Sequence, residues 1–407
     1  MMRNGTADGK KTVKPIEIVL IVLIGCFVTA INNGVRVNYG LISSVIAGET
    51  GIGAVNVSFS VAIAQLLYGV AQPFSGALAL RKTNSHVLIG GSVLLVAGFL
   101  LIPLCTKPWM LNIALGLFLG CGTGAMAFGI VMSAVTPMLG EKRAVGISGI
   151  INGAGGIGGA VLSPFAQSLS DAGGLRAVMI GLTALTAVVM IASVWLYSKE
   201  KAFRPAGNAD SDQKTPVLSI VKEALRSKGF LHLALAFFTC GYFMAIIETQ
   251  LYSQILSYGF SGDQAALAFT VYGIMGMVGP MIAGFLCLKM KCKWVVGTCY
   301  ALRPLTVIAF LLMPKTLPAI FFFVVFLGLI GNSTVPPTTN LLSKLYGSGR
   351  LGLLSGTAFV FHQAGSFIST WLGGILVAST GNYVILWLIG AALATAAAIL
   401  CYTVDET

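Results

Sequence analysis

Two arginines, Arg36 and Arg303, stand in stretches of sequence otherwise too apolar to leave a membrane. A charge at the centre of a membrane helix costs roughly 2.5–3.5 kcal/mol on insertion scales, so such a residue needs a partner or a ligand. A guanidinium offers a planar fork of donors matched to a carboxylate, which makes Arg36 the first candidate to hold an anion. Snorkelling toward a membrane interface is the competing reading. Glu248 is the only carboxylate well inside the apolar stretches, about as deep in the second half as Arg36 is in the first. A carboxyl that alternately has and lacks an arginine beside it can load and release a proton. A permanent Arg36–Glu248 ion pair is the alternative. His362 titrates nearest neutral pH by side-chain type and is a candidate for proton coupling or substrate contact; a packed structural donor is the other reading.

These residues need a scaffold, and composition names its class. Of 407 residues, 56% are hydrophobic and only 9% charged, against about 25% charged in soluble proteins. The chain is an integral, all-α membrane protein. Its eight cysteines include no C-x-x-C pair, so neither a zinc site nor a disulfide framework is expected, and no cofactor is implied. No nucleophile, base and orienting group share a readable motif, which argues against an intramembrane hydrolase. Arg3, Lys10, Lys11 and Lys14 precede an apolar run from Ile16. That run outlasts the usual 7–15 residues of a signal peptide and reads as the first span.

Hydropathy and Gly/Pro/charge punctuation predict about twelve spans, each long enough for a hydrocarbon core of roughly 30 Å. They lie near 16–44, 55–79, 87–104, 109–135, 144–170, 176–198, 229–258, 264–288, 294–313, 317–343, 351–378 and 382–403. Arg81, Lys82, Lys142, Arg143, Lys289, Lys291, Lys293, Lys344 and Arg350 fall in alternate gaps, while the opposite gaps hold Lys107, Arg176 and Lys315. By the positive-inside rule both termini then face the cytoplasm. The net charge of +12 reflects topology and lipid headgroups, and no nucleic acid is an expected partner.

The hydrophilic interval 199–228 divides the chain into a six-span half, 1–198, and a second, 229–407. Lys199 to Lys214 reads as flexible linker. Thr215 as N-cap and Pro216 at N1 predict a following helix. Leu218, Val221 and Leu225 on one face would suit the membrane interface, an ordinary connector being the alternative. Two such halves suggest an internal repeat with the substrate between them. The exits Ser75-Gly76-Ala77-Leu78-Ala79-Leu80-Arg81 and Ala283-Gly284-Phe285-Leu286-Cys287-Leu288-Lys289 occupy the same place in each half.

Those two exits resemble the G-x-L-a-D-R-x-G signature of the major facilitator superfamily. Leu80 and Leu288 stand at the Asp position, and Asn84 at the later Gly. Further stretches are Gly34-Val35-Arg36-Val37-Asn38-Tyr39-Gly40-Leu41, Gly140-Glu141-Lys142-Arg143-Ala144-Val145-Gly146, His362-Gln363-Ala364-Gly365-Ser366-Phe367 and Trp371-Leu372-Gly373-Gly374. Together they resemble the bacterial branch near the monocarboxylate transporters and oxalate/formate antiporters. The resemblance covers essentially the whole chain. It implies twelve transmembrane helices in two six-helix bundles (the major facilitator fold) and a rocking secondary transporter of small carboxylates, proton-coupled or exchanging. Such relatives place a cation in span 8 or 11; span 8 has none here and span 11 offers His362.

The expected function is alternating-access transport of a small organic anion in a bacterial inner membrane by a monomer. Arg36 would bind it, with Asn33, Tyr39, Tyr272, Asn332, His362, Gln363 and Arg303 as further substrate contacts. Glu248 or His362 would couple protons. Gln65 is a possible lining residue. Arg303 has a structural alternative, because the resemblance places span 9 at the flank of its bundle. Gly116, Gly120, Gly122 and Gly124 in span 4, and Gly153, Gly155, Gly156, Gly158 and Gly159 in span 5, predict close helix approach. They are not a nucleotide loop, since no G-K-[ST] follows. A proton-driven exporter of lipophilic compounds on the same fold is the alternative function, and a non-transporting membrane sensor a third.

Overall fold

The structure is a computed structural model that describes residues 14–139, 141–203, 217–346 and 348–406. Arg3, Lys10, Lys11, Gly140, most of the linker and the Thr215–Pro216 cap lie outside these residues, as do the side chains of Leu80, Arg81, Glu141, Lys142, Leu218 and Arg350. Among the described residues every regular element is helical.

Ten helices among the described residues are long and apolar enough to cross a membrane. One of these, Ile147–Glu200, is 54 residues long and folds back at Gly173 and Gly174, where the backbone leaves the helical region. Gly174 sits at φ 59°, in the left-handed region glycine adopts without strain. Glu49 closes that turn by accepting the Leu175 N–H at 2.8 Å. Ser348–Thr380 completes the set of twelve.

Span 1 is Pro15–Val37 continued by Tyr39–Glu49, five residues past the expected end. Span 2 is Ala54–Arg81 and span 3 Asn84–Leu101. Span 4 is Pro108–Leu139, broken at Met126. Spans 5 and 6 are 141–172 and 175–203. Span 7 is Lys228–Ser257 and span 8 Gly262–Leu286. Span 9 is Cys292–Leu312, span 10 Leu317–Tyr346, span 11 Ser348–Thr380 and span 12 Val384–Tyr402. The linker helix Val217–Arg226 packs on spans 7 and 11. It buries Ile220 and Ala224 against the protein and leaves Leu225 on the outer surface, 37% exposed.

Lipid tails are as apolar as leucine, so helices associate here through close packing of small residues. In the first half Gly34 of span 1 lies on the backbone of Gly158 in span 5, and any side chain at Gly158 would collide with the Ala30 carbonyl. In the second half Gly241 of span 7 meets the His362 carbonyl of span 11, and Gly365 meets that of Phe238. Gly34 and Gly158 have the same spacing in sequence as Gly241 and Gly365, so one contact is built twice by an internal repeat. Gly120 and Gly124 of span 4 likewise lie against the Ala64 and Tyr68 carbonyls of span 2.

The repeat extends to the basic-loop end. Glu200, closing span 6, accepts the N–H groups of Asn84 and Ser85 at the start of span 3, at 3.0 and 2.8 Å. Glu406, just past span 12, accepts those of Cys292 and Lys293 at the start of span 9, at 3.0 and 2.8 Å. Each carboxylate meets N–H groups at a helix's positive end, which that helix leaves unpaired. Lys344 joins Glu406 at 2.8 Å.

Burial works against a charged Glu406, but Lys344 and the two N–H donors outweigh it and hold the carboxyl below its ordinary pKa. A depressed carboxyl stabilises the fold fully above its unfolded pKa of roughly 4.3. That contribution is lost as pH falls through the lower folded value. Glu406→Ala is therefore expected to cost about 0.5–2 kcal/mol at pH 7, the range for a lost helix cap. Thermal unfolding in detergent should show the difference from wild type shrinking as pH falls below 4.

Candidate functional site

Between the two bundles lies a cavity of about 500 Å³. Asn32 and Asn33 of span 1, Tyr68 and Gln72 of span 2 and Asn152 of span 5 form one wall, with a face of span 5 glycines. Tyr272 and Met277 of span 8, Asn332 of span 10 and Phe359 of span 11 form the other. The lining lies in the middle of the spans and in their halves nearer the basic loops. Among the described residues the wall carries amides, phenols, aromatic rings and thioethers and no charged side chain.

The charges sit one layer behind. The Arg36 guanidinium stacks on the Tyr68 ring at 3.9 Å, so a cavity-lining residue separates it from the open space. Its Nη2 donates to Gln65 Oε1 at 3.2 Å, and Gln65 Nε2 donates to Glu248 Oε2 at 2.8 Å. Arg36 Nη2 also lies 3.6 Å from Glu248 Oε2. One amide thus relays between a cation of the first half and a carboxylate of the second, and all three side chains are buried. Arg36 Nε has no partner.

Local backbone places both charges. Arg36 is in the last turn of Pro15–Val37, where the helix dipole favours a cation. The helix breaks directly afterwards, and Asn38 donates back to the Gly34 carbonyl at 2.8 Å. Glu248 belongs to a π turn, Ile247–Leu251, a local widening that often accompanies a functional side chain.

Away from the basic loops the bundles are in contact. A Cβ added at Gly40 of span 1 would come within 3.2 Å of the Glu248 carbonyl oxygen and 3.1 Å of Tyr252 Cβ. The Tyr252 hydroxyl donates to Gln167 of span 5. Gly374 of span 11 lies on Ser58 of span 2. Phe59 meets Phe367 and Trp371 with ring centroids 6.3 and 5.8 Å apart. The cavity is closed on this side by the Arg36–Gln65–Glu248 layer and the contacts above it.

Of the candidate substrate contacts, Asn33, Tyr272 and Asn332 line the cavity. Asn33 Nδ2 is held by the Gly155 carbonyl at 2.8 Å. Tyr39 is buried outside the lining, its hydroxyl unpartnered. Gln363 is fully buried against Gly69 of span 2, with neither amide atom paired. His362 stacks on cavity-lining Phe359 at 5.0 Å and 13°, one layer behind the wall. Arg303 is enclosed within the second bundle, against Cys240 and Gly331, and does not reach the cavity. The relay through Gln65 and the platform of Tyr68 were not expected. Gln65, Tyr68 and Gln72 follow helical spacing along span 2, so a polar stripe facing span 1 was present in the sequence.

A family model described as Major Facilitator Superfamily matches residues 22–262 and 240–407. An uncharacterized MFS-type transporter, YcxA of Bacillus subtilis, is 22% identical over 336 residues, 81% of each chain. Monocarboxylate transporter 13 of Rattus norvegicus is 23% identical over 377 residues, 89% of this chain and 83% of that protein. The crystal structure of a D-xylose–proton symporter superposes with a TM-score of 0.72 at 13% identity, over 97% of this chain and 98% of the other.

Gln65→Leu would leave two buried charged groups short of a hydrogen bond. The expected cost is about 1–3 kcal/mol, the desolvation penalty of an unmade bond. A lowered unfolding midpoint in detergent, partly recovered by Gln65→Asn, checks it.

Proposed function

The chain belongs to the Major Facilitator Superfamily, and from that premise we propose that it is a secondary transporter of a small organic anion of the monocarboxylate class. It would work by alternating access and couple the anion to protons. The observation that carries this reading is the buried Arg36–Gln65–Glu248 bridge between the two halves. The similarity to a monocarboxylate transporter supports the substrate class.

Charge balance supplies the mechanism. With Glu248 ionised, Arg36 is already compensated, and an added anion would leave the buried set negative. With Glu248 protonated, Arg36 is released, and a substrate carboxylate can take both arms of its fork. Proton and anion therefore enter together and the set stays neutral, which avoids the cost of an unpaired buried charge. Because the bridge joins the two halves, replacing it with substrate also removes one of the contacts that close the side away from the basic loops. The halves can then rock. Asn33, Tyr272 and Asn332 would hold the rest of the substrate, and His362 is a second candidate for the proton.

The basic loops belong on the cytoplasmic side by the positive-inside rule. On that assignment the open side of the cavity and both termini would face the cytoplasm, and the protein would act as a monomer in a bacterial inner membrane. One observation favours the second reading, a proton-driven exporter of lipophilic compounds: the wall has no charge and carries Tyr68, Phe128, Met277, Met281 and Phe359. On that reading transport survives neutralisation of Arg36.

Uptake of radiolabelled lactate, pyruvate, formate and oxalate into proteoliposomes separates the two. Saturable uptake should fall at least tenfold in Arg36→Gln, the loss of one charged hydrogen-bond pair, about 1.5–3 kcal/mol. Glu248→Gln should keep anion exchange and lose accumulation driven by a proton gradient. No uptake of any acid by folded wild type, with lipophilic cations carried equally by wild type and Arg36→Gln, would establish the exporter.

A further inference from the structure

The second intramembrane arginine serves a different end. Arg303 is fully buried, with Tyr300 and Phe243 rings 4.7 and 5.0 Å from its guanidinium carbon. Its Nη2 donates to the Gly331 carbonyl at 2.7 Å and lies 3.3 Å from Cys240 Sγ. Its Nε and Nη1 have no partner. Among the described residues no carboxylate lies within ion-pair distance of it.

A guanidinium stays charged under all ordinary conditions, and an uncompensated charge at this depth is costly. Several neighbours can carry a negative charge, the thiols of Cys240, Cys299 and Cys401 and the Tyr300 phenol among them; of these residues only Cys240, through its sulfur, lies within hydrogen-bond distance of the guanidinium. The thiol ionises more readily, at about 8.5 against about 10 in the free side chains, and arginine neighbours favour thiolates. Cys240 is also held in place: Thr334 Oγ1 lies 3.2 Å from its sulfur. Tyr300 meets the guanidinium through its ring face.

Span 10 explains why a cation is needed there. Its first helix ends at Gly331, a 3-10 turn covers Asn332–Thr334, and Val335 returns its N–H to Asn332 instead of Gly331. The Gly331 carbonyl is freed in the membrane interior, and Arg303 takes it up, with Thr334 Oγ1 3.5 Å and the Cys240 sulfur 3.9 Å from the same oxygen. Pro336 and Pro337 follow and cannot donate. The residue after that carbonyl is Asn332, which lines the cavity. The first half treats its own break similarly, with Asn32 donating to the Met126 carbonyl at 3.1 Å.

We infer that Cys240 is a buried thiolate, the counter-ion of Arg303, and that this pair holds the break in span 10 that presents Asn332 to the cavity. Cys240 and Arg303 are positioning residues, since neither reaches the cavity. The consequence for Asn332 rests on the transport reading; the ion pair does not.

The test is a set of thermal unfolding midpoints in detergent, which need no substrate and fail independently of the transport assignment. Serine at position 240 keeps a small hydrogen-bonding side chain but does not ionise in the accessible range. Cys240→Ser and Cys240→Ala are both expected to lower the midpoint by several degrees, while Cys240→Asp, a permanent anion, stays near wild type. Wild-type stability in Cys240→Ser overturns the inference, because a hydrogen bond then suffices. So does Cys240→Asp falling as far as Cys240→Ala, unless the larger side chain is at fault. The double variant Cys240→Ala/Arg303→Met decides that point: removing both charges should recover most of the single loss, and a loss equal to the sum of the two single variants overturns the pair.

Discussion

A buried charge must be compensated where water cannot do it, and this constraint organises the molecule. Arg36 and Arg303 meet it in opposite ways. Arg36 finds its counter-charge across the interface, on Glu248 of the other half, through the Gln65 amide. Arg303 stays inside one half, against Gly331 and Cys240. A compensation that spans the interface can be exchanged for a substrate and changes the contact between halves when it is. One enclosed in a single bundle can only hold that bundle's shape.

Within each half, glycines bring backbones together at matching places, Gly34 on Gly158 and Gly241 and Gly365 on spans 11 and 7. Across the interface Gly156 of span 5 faces Gly273 of span 8 and Gly40 faces the Glu248 carbonyl, alongside side-chain contacts such as the Tyr252–Gln167 hydrogen bond and the rings of Phe59 and Trp371. Side-chain contacts can be broken and remade by rigid rotation of the halves. At the basic-loop end, Glu200 and Glu406 fasten span 6 to span 3 and span 12 to span 9. Both ties stay within one half and leave the rotation free.

The span pattern was legible because length, hydropathy and basic loops are encoded residue by residue. So were the depths of Arg36 and Glu248, and the cavity positions of Asn33, Tyr272 and Asn332. The part played by Gln65 was not legible, since an amide on an apolar helix looks the same whether it lines a cavity or relays between two charges. Arg303 could not be placed either. Its depth in the membrane follows from sequence, but its partner is a carbonyl freed by a helix break 28 residues away, and only three dimensions bring the two together. The repeat is carried by glycines rather than by similar segments. Gly34, Gly158, Gly241 and Gly365 share a spacing that the surrounding sequences do not advertise.

The central claim is that proton and anion travel as a neutral pair because Arg36 can serve Glu248 or the substrate but not both ionised at once. The most direct measurement is the ratio of protons to carboxylates entering proteoliposomes, read above the protein-free background with an internal pH dye and a radiolabelled acid. The membrane potential would be set independently of the pH gradient. One proton per monocarboxylate, with accumulation that ignores the potential, is the predicted result. Carboxylate entry that follows the potential and carries no proton would contradict it, because Arg36 would then be binding an anion while Glu248 kept its charge.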